Sequence, residues 1–224
     1  ISSCKDEKCW LSMNILLNNI SNKDIKTLKS DFKPDMPESW KKNKEKWLTS
    51  VDIDNLLKRY MENDSDYFTY GALPIDSLEK DICVNDLCKF DLKKHLDNNI
   101  KKISIVYNTD EYGDSGQHWI CVYIDISKLN LDKSCIYFFD SYGDKPPDRV
   151  SQFANLLIEQ GKKENINFIY TYNDKQHQYS GGECGVYCLH FITYMLDGGD
   201  FKKYINNKKD EKYMNKFRSY FYDT

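Results

Sequence analysis

Apolar positions along this chain change their spacing several times, and each change marks an element. Near the start, Leu11, Ile15 and Leu16 recur at helical spacing, and Ile25, Leu28 and Phe32 repeat it. Ser21, with Asp24 three residues on, has the form of a weak capping box for the second helix. Pro34 and Pro37 then break the chain, and a lysine-rich stretch over 41–46 follows. We expect residues 1–45 to form a small helical N-terminal arm and residues 46–224 the main domain. From Trp47 the pattern is denser. A helix starting at Asp52 or Asp54 presents Ile53, Leu56, Leu57, Tyr60 and Met61 on one face. Residues 67–75 read as extended chain or loop, and Leu87 to Leu96 as a further helix.

The centre of the chain has β periodicity. Ile103, Ile105 and Tyr107 alternate, a turn-rich loop covers 108–117, and apolar runs at 118–126 and 135–140 are nearly continuous. Continuous runs of that length predict strands buried on both faces. Phe153, Leu156 and Leu157 predict a helix, 166–172 another strand, and Cys184 to Leu196 a buried helix after a glycine-containing loop. The tail over 201–222 is amphipathic. Helices, then strands with interleaved helices, then helices again give an α+β fold with a central mixed sheet.

Composition narrows the class. Of the 224 residues 40% are hydrophobic and 14% aromatic, so the chain folds rather than staying disordered. No apolar run reaches the roughly 18 residues of a membrane span, and no signal peptide is expected. The net charge of −3 gives no support for a nucleic-acid binder. The lysine clusters read as solvated surface. The chain has eight cysteines. Its length and ordinary core favour reduced thiols in a cytosolic or nuclear setting. Cys4/Cys9 and Cys83/Cys88 make a zinc site only if the two pairs meet in space, so we expect no metal and no cofactor.

The candidate chemistry lies in Gln178-Tyr-Ser-Gly-Gly-Glu-Cys184-Gly. A thiol at a helix N-terminus is favoured as thiolate by the helix dipole, and free backbone N–H groups there can bind an oxyanion. Gly181, Gly182 and Gly185 leave room for a substrate backbone. On these features alone a nucleophile and a buried structural cysteine both fit. His118 opens a strand after a flexible loop, where a base or an ordinary polar residue serves equally well. Asp140 closes the next strand. If those two strands are antiparallel neighbours, His118 and Asp140 meet, and the carboxylate can orient the imidazole. Cys188, one turn after Cys184, reads as core filler, His190 as a satisfied core histidine, and His177 as a loop residue without a role.

The order His118-Trp119, Asp140-Ser141, then Gln178 with Cys184-Gly185 resembles the cysteine protease superfamily that includes adenain and the SUMO (ubiquitin-like-protein-specific) proteases. Trp47-Leu48 followed by Ile53, Leu57 and Tyr60 resembles the helix that opens the SUMO-protease catalytic domain. Asn108-Thr-Asp, Gly116-Gln-His118-Trp119 and Met214-Asn-Lys-Phe217-Arg218 resemble polyprotein-processing members from large DNA viruses. The resemblance implies that 46–224 is the catalytic domain, with Cys184 as nucleophile at the N-terminus of a buried helix. It implies His118 as base, Asp140 as its orienting partner and Gln178 as oxyanion donor. Trp47, Trp119 and Gly185 would bind substrate, the tryptophans flanking a narrow channel for a Gly-Gly end. The implied activity is cleavage after glycine, at Gly-Gly-Xaa or Gly-Xaa-Gly sites of a viral polyprotein. The alternative is removal of ubiquitin or a ubiquitin-like modifier. Acetyl transfer by a related triad and a catalytically dead binding module are the other classes. Paired tryptophans argue against the first, and four competent catalytic positions against the second. The expected protein is an intracellular monomer acting in host cytoplasm, virion or nucleus, with a protein substrate and no membrane contact.

Overall fold

The computed structural model describes residues 20, 21, 24, 36, 40, 43, 46–126 and 134–222. Most of the expected arm over 1–45, including the Cys4/Cys9 pair, lies outside the described residues. Three of the arm's residues are informative. The Ser21 hydroxyl accepts from the Asp24 N–H at 3.1 Å, as the capping box requires. Trp40 is 2% exposed and packs edge-on to Tyr222. A residue assigned to the arm is therefore built into the main core.

Helix α1 (Ser50–Asn63) is capped by Thr49, with Asp52 as the third residue of a full capping box. The start thus lies before Asp52, because the Thr49 hydroxyl accepts from the Asp52 N–H and the Asp52 carboxylate accepts in turn from the Thr49 N–H. Its face of Ile53, Leu56 and Leu57 is buried. Strand β1 (Tyr67–Pro74) follows, then a 3-10 segment (Val84–Lys89) kinked at Asn85 and Asp86, and helix α2 (Leu92–Asp97). Strands β2 (Lys102–Asn108), β3 (Trp119–Asp125) and β4 (Ser134–Phe139) precede helix α3 (Asp148–Lys163) and strand β5 (Phe168–Tyr172). Helices α4 (Cys184–Leu196), α5 (Phe201–Asn206) and α6 (Glu211–Phe221) complete the described chain.

The five strands form one sheet in the order β1-β2-β3-β4-β5. The outer pairs are parallel and the two inner pairs antiparallel, so the sheet is mixed. Every residue of β3 is buried, as its unbroken apolar run requires. One face packs α4, α1 and the C-terminal helices through Val106, Tyr123, Phe139, Leu189 and Phe191. The other packs α3 through Ile105, Val122, Phe138, Phe153 and Leu157. Helix α4 is buried almost all round, which explains why its sequence lacks a polar face.

One expectation is narrowed and two need correction. Of the extended chain or loop expected over 67–75, residues 67–74 form a paired strand. Its alternation is hidden because the register shifts between Thr69 and Ala72, at Gly71. Gly71 has φ +76, and a Cβ there would come within 2.3 Å of the Asp54 carboxylate, which accepts from the Ala72 N–H. The helix expected over Leu87–Leu96 is divided, because Asp91 caps a fresh helix at Leu92. Reduced thiols throughout is also wrong. Cys83 and Cys88 are joined in a disulfide, with Cα atoms 5.0 Å apart. Positive φ at Cys83, Asn85 and Asp86 folds the loop tightly enough to bring them together. This pair is therefore not free to ligate zinc, and no cluster suited to a metal occurs among the described residues. Among those residues no helix is long and apolar enough to cross a membrane.

Candidate active site

The antiparallel register pairs Cys121 with Phe139, which brings the residues before β3 opposite those after β4. His118 and Asp140 occupy those two places. His118 Nε2 lies 2.7 Å from Asp140 Oδ1, with side-chain exposures of only 12% and 5%. The loop that delivers His118 is pinned by Asn108, whose Oδ1 accepts from the N–H groups of Asp110 and Gln117. Gly116, at φ +83, sits so close that a Cβ would be 2.6 Å from the Asn108 amide. Only glycine fits there without moving the loop.

With Nε2 donating to the carboxylate, Nδ1 is the nitrogen left for a thiol. Cys184 opens α4, close enough to His118 for its thiol to raise the imidazole pKa. Burial pushes the His118 pKa down, but the hydrogen bonds to Asp140 and Cys184 outweigh it and raise it to about 9. A histidine held protonated in this way is suited to activating a neighbouring thiol. Tyr142 stacks on the imidazole at 4.5 Å and 18°, and its N–H donates to Asp140 Oδ1 at 2.9 Å. The turn Asp140-Ser-Tyr142 therefore both orients the carboxylate and covers the His118 imidazole.

Asn173, fully buried, holds the backbone of Asp140 from both sides. Its Oδ1 accepts from the Asp140 N–H at 2.9 Å and its Nδ2 donates to the Asp140 carbonyl at 2.7 Å. Sequence reasoning missed Tyr142 and Asn173. A turn-forming Asp-Ser-Tyr-Gly was visible, but nothing in a polar loop singles out the asparagine. Asn173→Ala leaves those buried backbone groups unpaired. It is expected to lower the unfolding free energy by about 2 kcal/mol and any Cys184-dependent turnover by about 10-fold. Urea denaturation and steady-state kinetics check the two parts.

Gln178 is brought beside the same turn. The Ser141 hydroxyl donates to Gln178 Oε1 at 2.8 Å, and the N–H groups of His177 and Gln178 donate to the Ser141 carbonyl. The Gln178 Nε2, however, reaches the carbonyls of Ser180 and Gly181, both at 3.1 Å. Its donors shape the loop before Cys184 and do not stand open toward a substrate. Gly185 also serves differently from the expectation. It is buried, and a Cβ would meet the Leu48 side chain at 3.0 Å, so its smallness seats α4 against the segment after Trp47.

Trp47 and Trp119 line a cleft of about 540 Å³ together with Leu73, Pro74, Val84 and Tyr112. Trp119 is anchored by donating from Nε1 to the Leu48 carbonyl at 2.9 Å, whereas Trp47 is 41% exposed. Among the described residues, His190, His177 and Cys188 are packed into the core. His190 bonds the Tyr204 hydroxyl through Nδ1 at 2.8 Å. His177 is buried against Tyr204, and burial lowers its pKa to about 4. Cys188 is fully buried, which raises its thiol pKa well above the ordinary value.

Comparison with known proteins places this geometry. A family model described as YopJ serine/threonine acetyltransferase matches residues 73–222. A protein of Acanthamoeba polyphaga mimivirus, whose name assigns it provisionally as a thiol protease, is 29% identical over 177 residues. That match covers 79% of this chain, and the chain spans only 56% of the length of that relative. The cysteine protease of African swine fever virus is 24% identical over 98% of this chain and 83% of its own length. The crystal structure of that viral protease superposes with a TM-score of 0.77 at 22% identity, over 98% of this chain and 83% of the other. A SUMO protease Ulp1 structure gives 0.53 at 16% identity, over 79% and 76%. The resemblance read from His118-Trp119, Asp140-Ser141 and Cys184-Gly185 therefore holds in fold and in relatives. The fold is that of the African swine fever virus protease and of the SUMO protease Ulp1, the relatives it matches are named cysteine or thiol proteases, and the chain belongs to the family described as YopJ serine/threonine acetyltransferase.

Proposed function

We propose that this chain is a cysteine endopeptidase that cleaves after glycine, with viral structural polyproteins as its substrates. The observation that carries the reading is the chain of contacts from Asp140 through His118 to a thiol at the start of a buried helix. His118 takes the thiol proton, and the Cys184 sulfur attacks the scissile carbonyl carbon. The oxyanion is held by the Cys184 backbone N–H, one of the first-turn donors with no intrahelical acceptor. Gln178 joins it once one of its loop bonds is exchanged for the substrate oxygen. His118 then protonates the leaving amine, and water attacks the thioester with His118 again as base. No metal or cofactor is required by these steps.

The cleft between Trp47 and Trp119 supports a substrate with little side-chain bulk at its acyl end. Trp47→Ala is expected to raise KM for Gly-Gly-Xaa peptides by about 10-fold. It should also admit larger residues before the cut, with only a modest change in Tm because the side chain is partly solvated. A peptide library with sequenced products checks this.

Two other substrates use the same nucleophile. One is a ubiquitin-like modifier, favoured by the likeness to Ulp1, which has been solved with the yeast SUMO ortholog Smt3. The other is acetyl transfer, favoured by the description of the family model. Incubating the protein with Gly-Gly-Xaa peptides, ubiquitin and SUMO vinyl sulfones, and acetyl-CoA separates them. Peptide cleavage alone supports the proposal. Probe labelling alone makes the chain a deconjugase, and a stable acetyl transfer to protein overturns proteolysis. Residues 1–45 are proposed to bind substrate or regulate the site. Deleting 1–39, which leaves Trp40 in the core, and finding protein cleavage unchanged removes that role.

A further inference from the structure

The loop that carries Gln178 and ends at Cys184 touches the C-terminal helix at both ends. Near its start, the Glu211 carboxylate accepts from the backbone N–H groups of Tyr179 and Ser180, the latter at 3.0 Å. At its end, Asn215 Nδ2 donates to Glu183 Oε1 at 2.9 Å. Glu183 is 1% exposed and is the residue immediately before the nucleophile, in the cap position of α4. Gly181, at φ +78, lies against the same carboxylate, so close that a Cβ would meet it at 2.1 Å. Arg218, one turn beyond Asn215 on α6, is 2% exposed and stands 5.0 Å over the Trp40 ring. Burial disfavours its charge, and attraction to Glu183 offsets part of that cost. Asp210 caps α6 by accepting from the Tyr213 N–H, and the Tyr187 hydroxyl of α4 donates to the Lys209 carbonyl. These bonds fix the start of α6 against the nucleophile helix.

We infer that α6 is part of the catalytic apparatus, with Glu211 and Asn215 as positioning residues that hold the 179–183 loop and so set the Cys184 thiol against His118. The inference rests on the proteolytic reading of the site. The physical reason is economy of constraint. A loop with glycines at 181 and 182 has no rigidity of its own, and the Gln178 amide can give up a loop bond to a substrate only if other bonds keep the loop in place. Glu211 and Asn215 supply those bonds from a rigid helix.

The test is the rate of Cys184 alkylation by iodoacetamide at neutral pH on the full chain, read by peptide mapping, beside kcat and KM on a Gly-Gly-Xaa peptide. Glu211→Ala and Asn215→Ala are expected to slow alkylation by about 10-fold as the thiol loses its placement against His118. They should lower kcat by about 10-fold with KM little changed. Glu211→Gln keeps an oxygen acceptor for the two N–H groups and should restore both readouts, while the exposed Lys212→Ala leaves them as in the native chain. An unchanged alkylation rate in Glu211→Ala, or a Glu211→Gln variant as impaired as Glu211→Ala, overturns the inference. If Asn215→Ala fails to fold, the two Glu211 variants, at a half-buried position, still decide it. Alkylation needs no substrate, so a native chain that cleaves no peptide would sink the proteolytic reading and leave this readout intact.

Discussion

Cys184→Ala is expected to abolish hydrolysis of every substrate the native chain cleaves, by about 10⁴-fold or more, while leaving the fold in place. The size follows from the role. Without sulfur no acyl-enzyme forms, and what remains is binding and electrostatic stabilisation around an unreactive methyl group. The fold should survive because the thiol is a small part of α4, whose burial rests on Val186, Tyr187, Leu189, Phe191 and Ile192. Cys184→Ser tests the chemistry more finely. Serine fits the space, but its hydroxyl is far harder to deprotonate than a thiol, and an imidazolium held by Asp140 is a poor base for it. It should therefore lie close to the alanine variant. Cys188→Ala removes a buried thiol on the same helix and should cost stability only. Discontinuous peptide assays, with circular dichroism of each variant, separate the outcomes. A Cys184→Ala chain that still turns over, or a Cys188→Ala chain that is folded but dead, would move the nucleophile elsewhere.

Asp140→Ala carries the second large effect, on rate and on pH dependence together. His118 is raised to about 9 because its bonds to Asp140 and Cys184 overcome the cost of burial. Since the folded value lies above the ordinary value of about 6.5, protonated His118 stabilises the native chain in full below that pH. The contribution is lost as pH rises through 9. The same titration governs turnover, because the leaving amine needs a proton from imidazolium. The native profile should fall on its alkaline side near pH 9. Removing the carboxylate leaves burial working against the charge, so that limb should move down by about 2 units. Turnover should drop by roughly 10³-fold. Asp140→Asn keeps an oxygen that can accept from Nε2–H but loses the charge, so it should fall between the two. An alkaline limb that stays put in Asp140→Ala would detach the carboxylate from the base.

The triad candidates were legible because each stands where local pattern changes. His118 and Asp140 bound continuous apolar runs, and Cys184 begins one. The antiparallel pairing that joins the first two was a conditional in the sequence, and the register settles the contact. What stayed hidden was of two kinds. Strand β1 was obscured by the bulge at Gly71, which interrupts the alternation that marks a strand. Asn173, Glu211 and Asn215 act through contacts spanning 31–33 residues, and nothing local distinguishes a polar residue that reaches back from one that faces water. The Gln178 amide shows a further limit. Its position was readable, but its donors turn toward Ser180 and Gly181, a matter of loop conformation that spacing does not encode.

The most direct test of the account is covalent capture. A short peptide ending in Gly-Gly-vinyl methyl ester, incubated with the native chain, should add one mass increment, mapped to Cys184. The adduct should vanish in Cys184→Ala and be strongly slowed in His118→Ala. Labelling of Cys135 or another thiol instead, or labelling of Cys184 at the same rate without His118, would contradict a protease built on this triad.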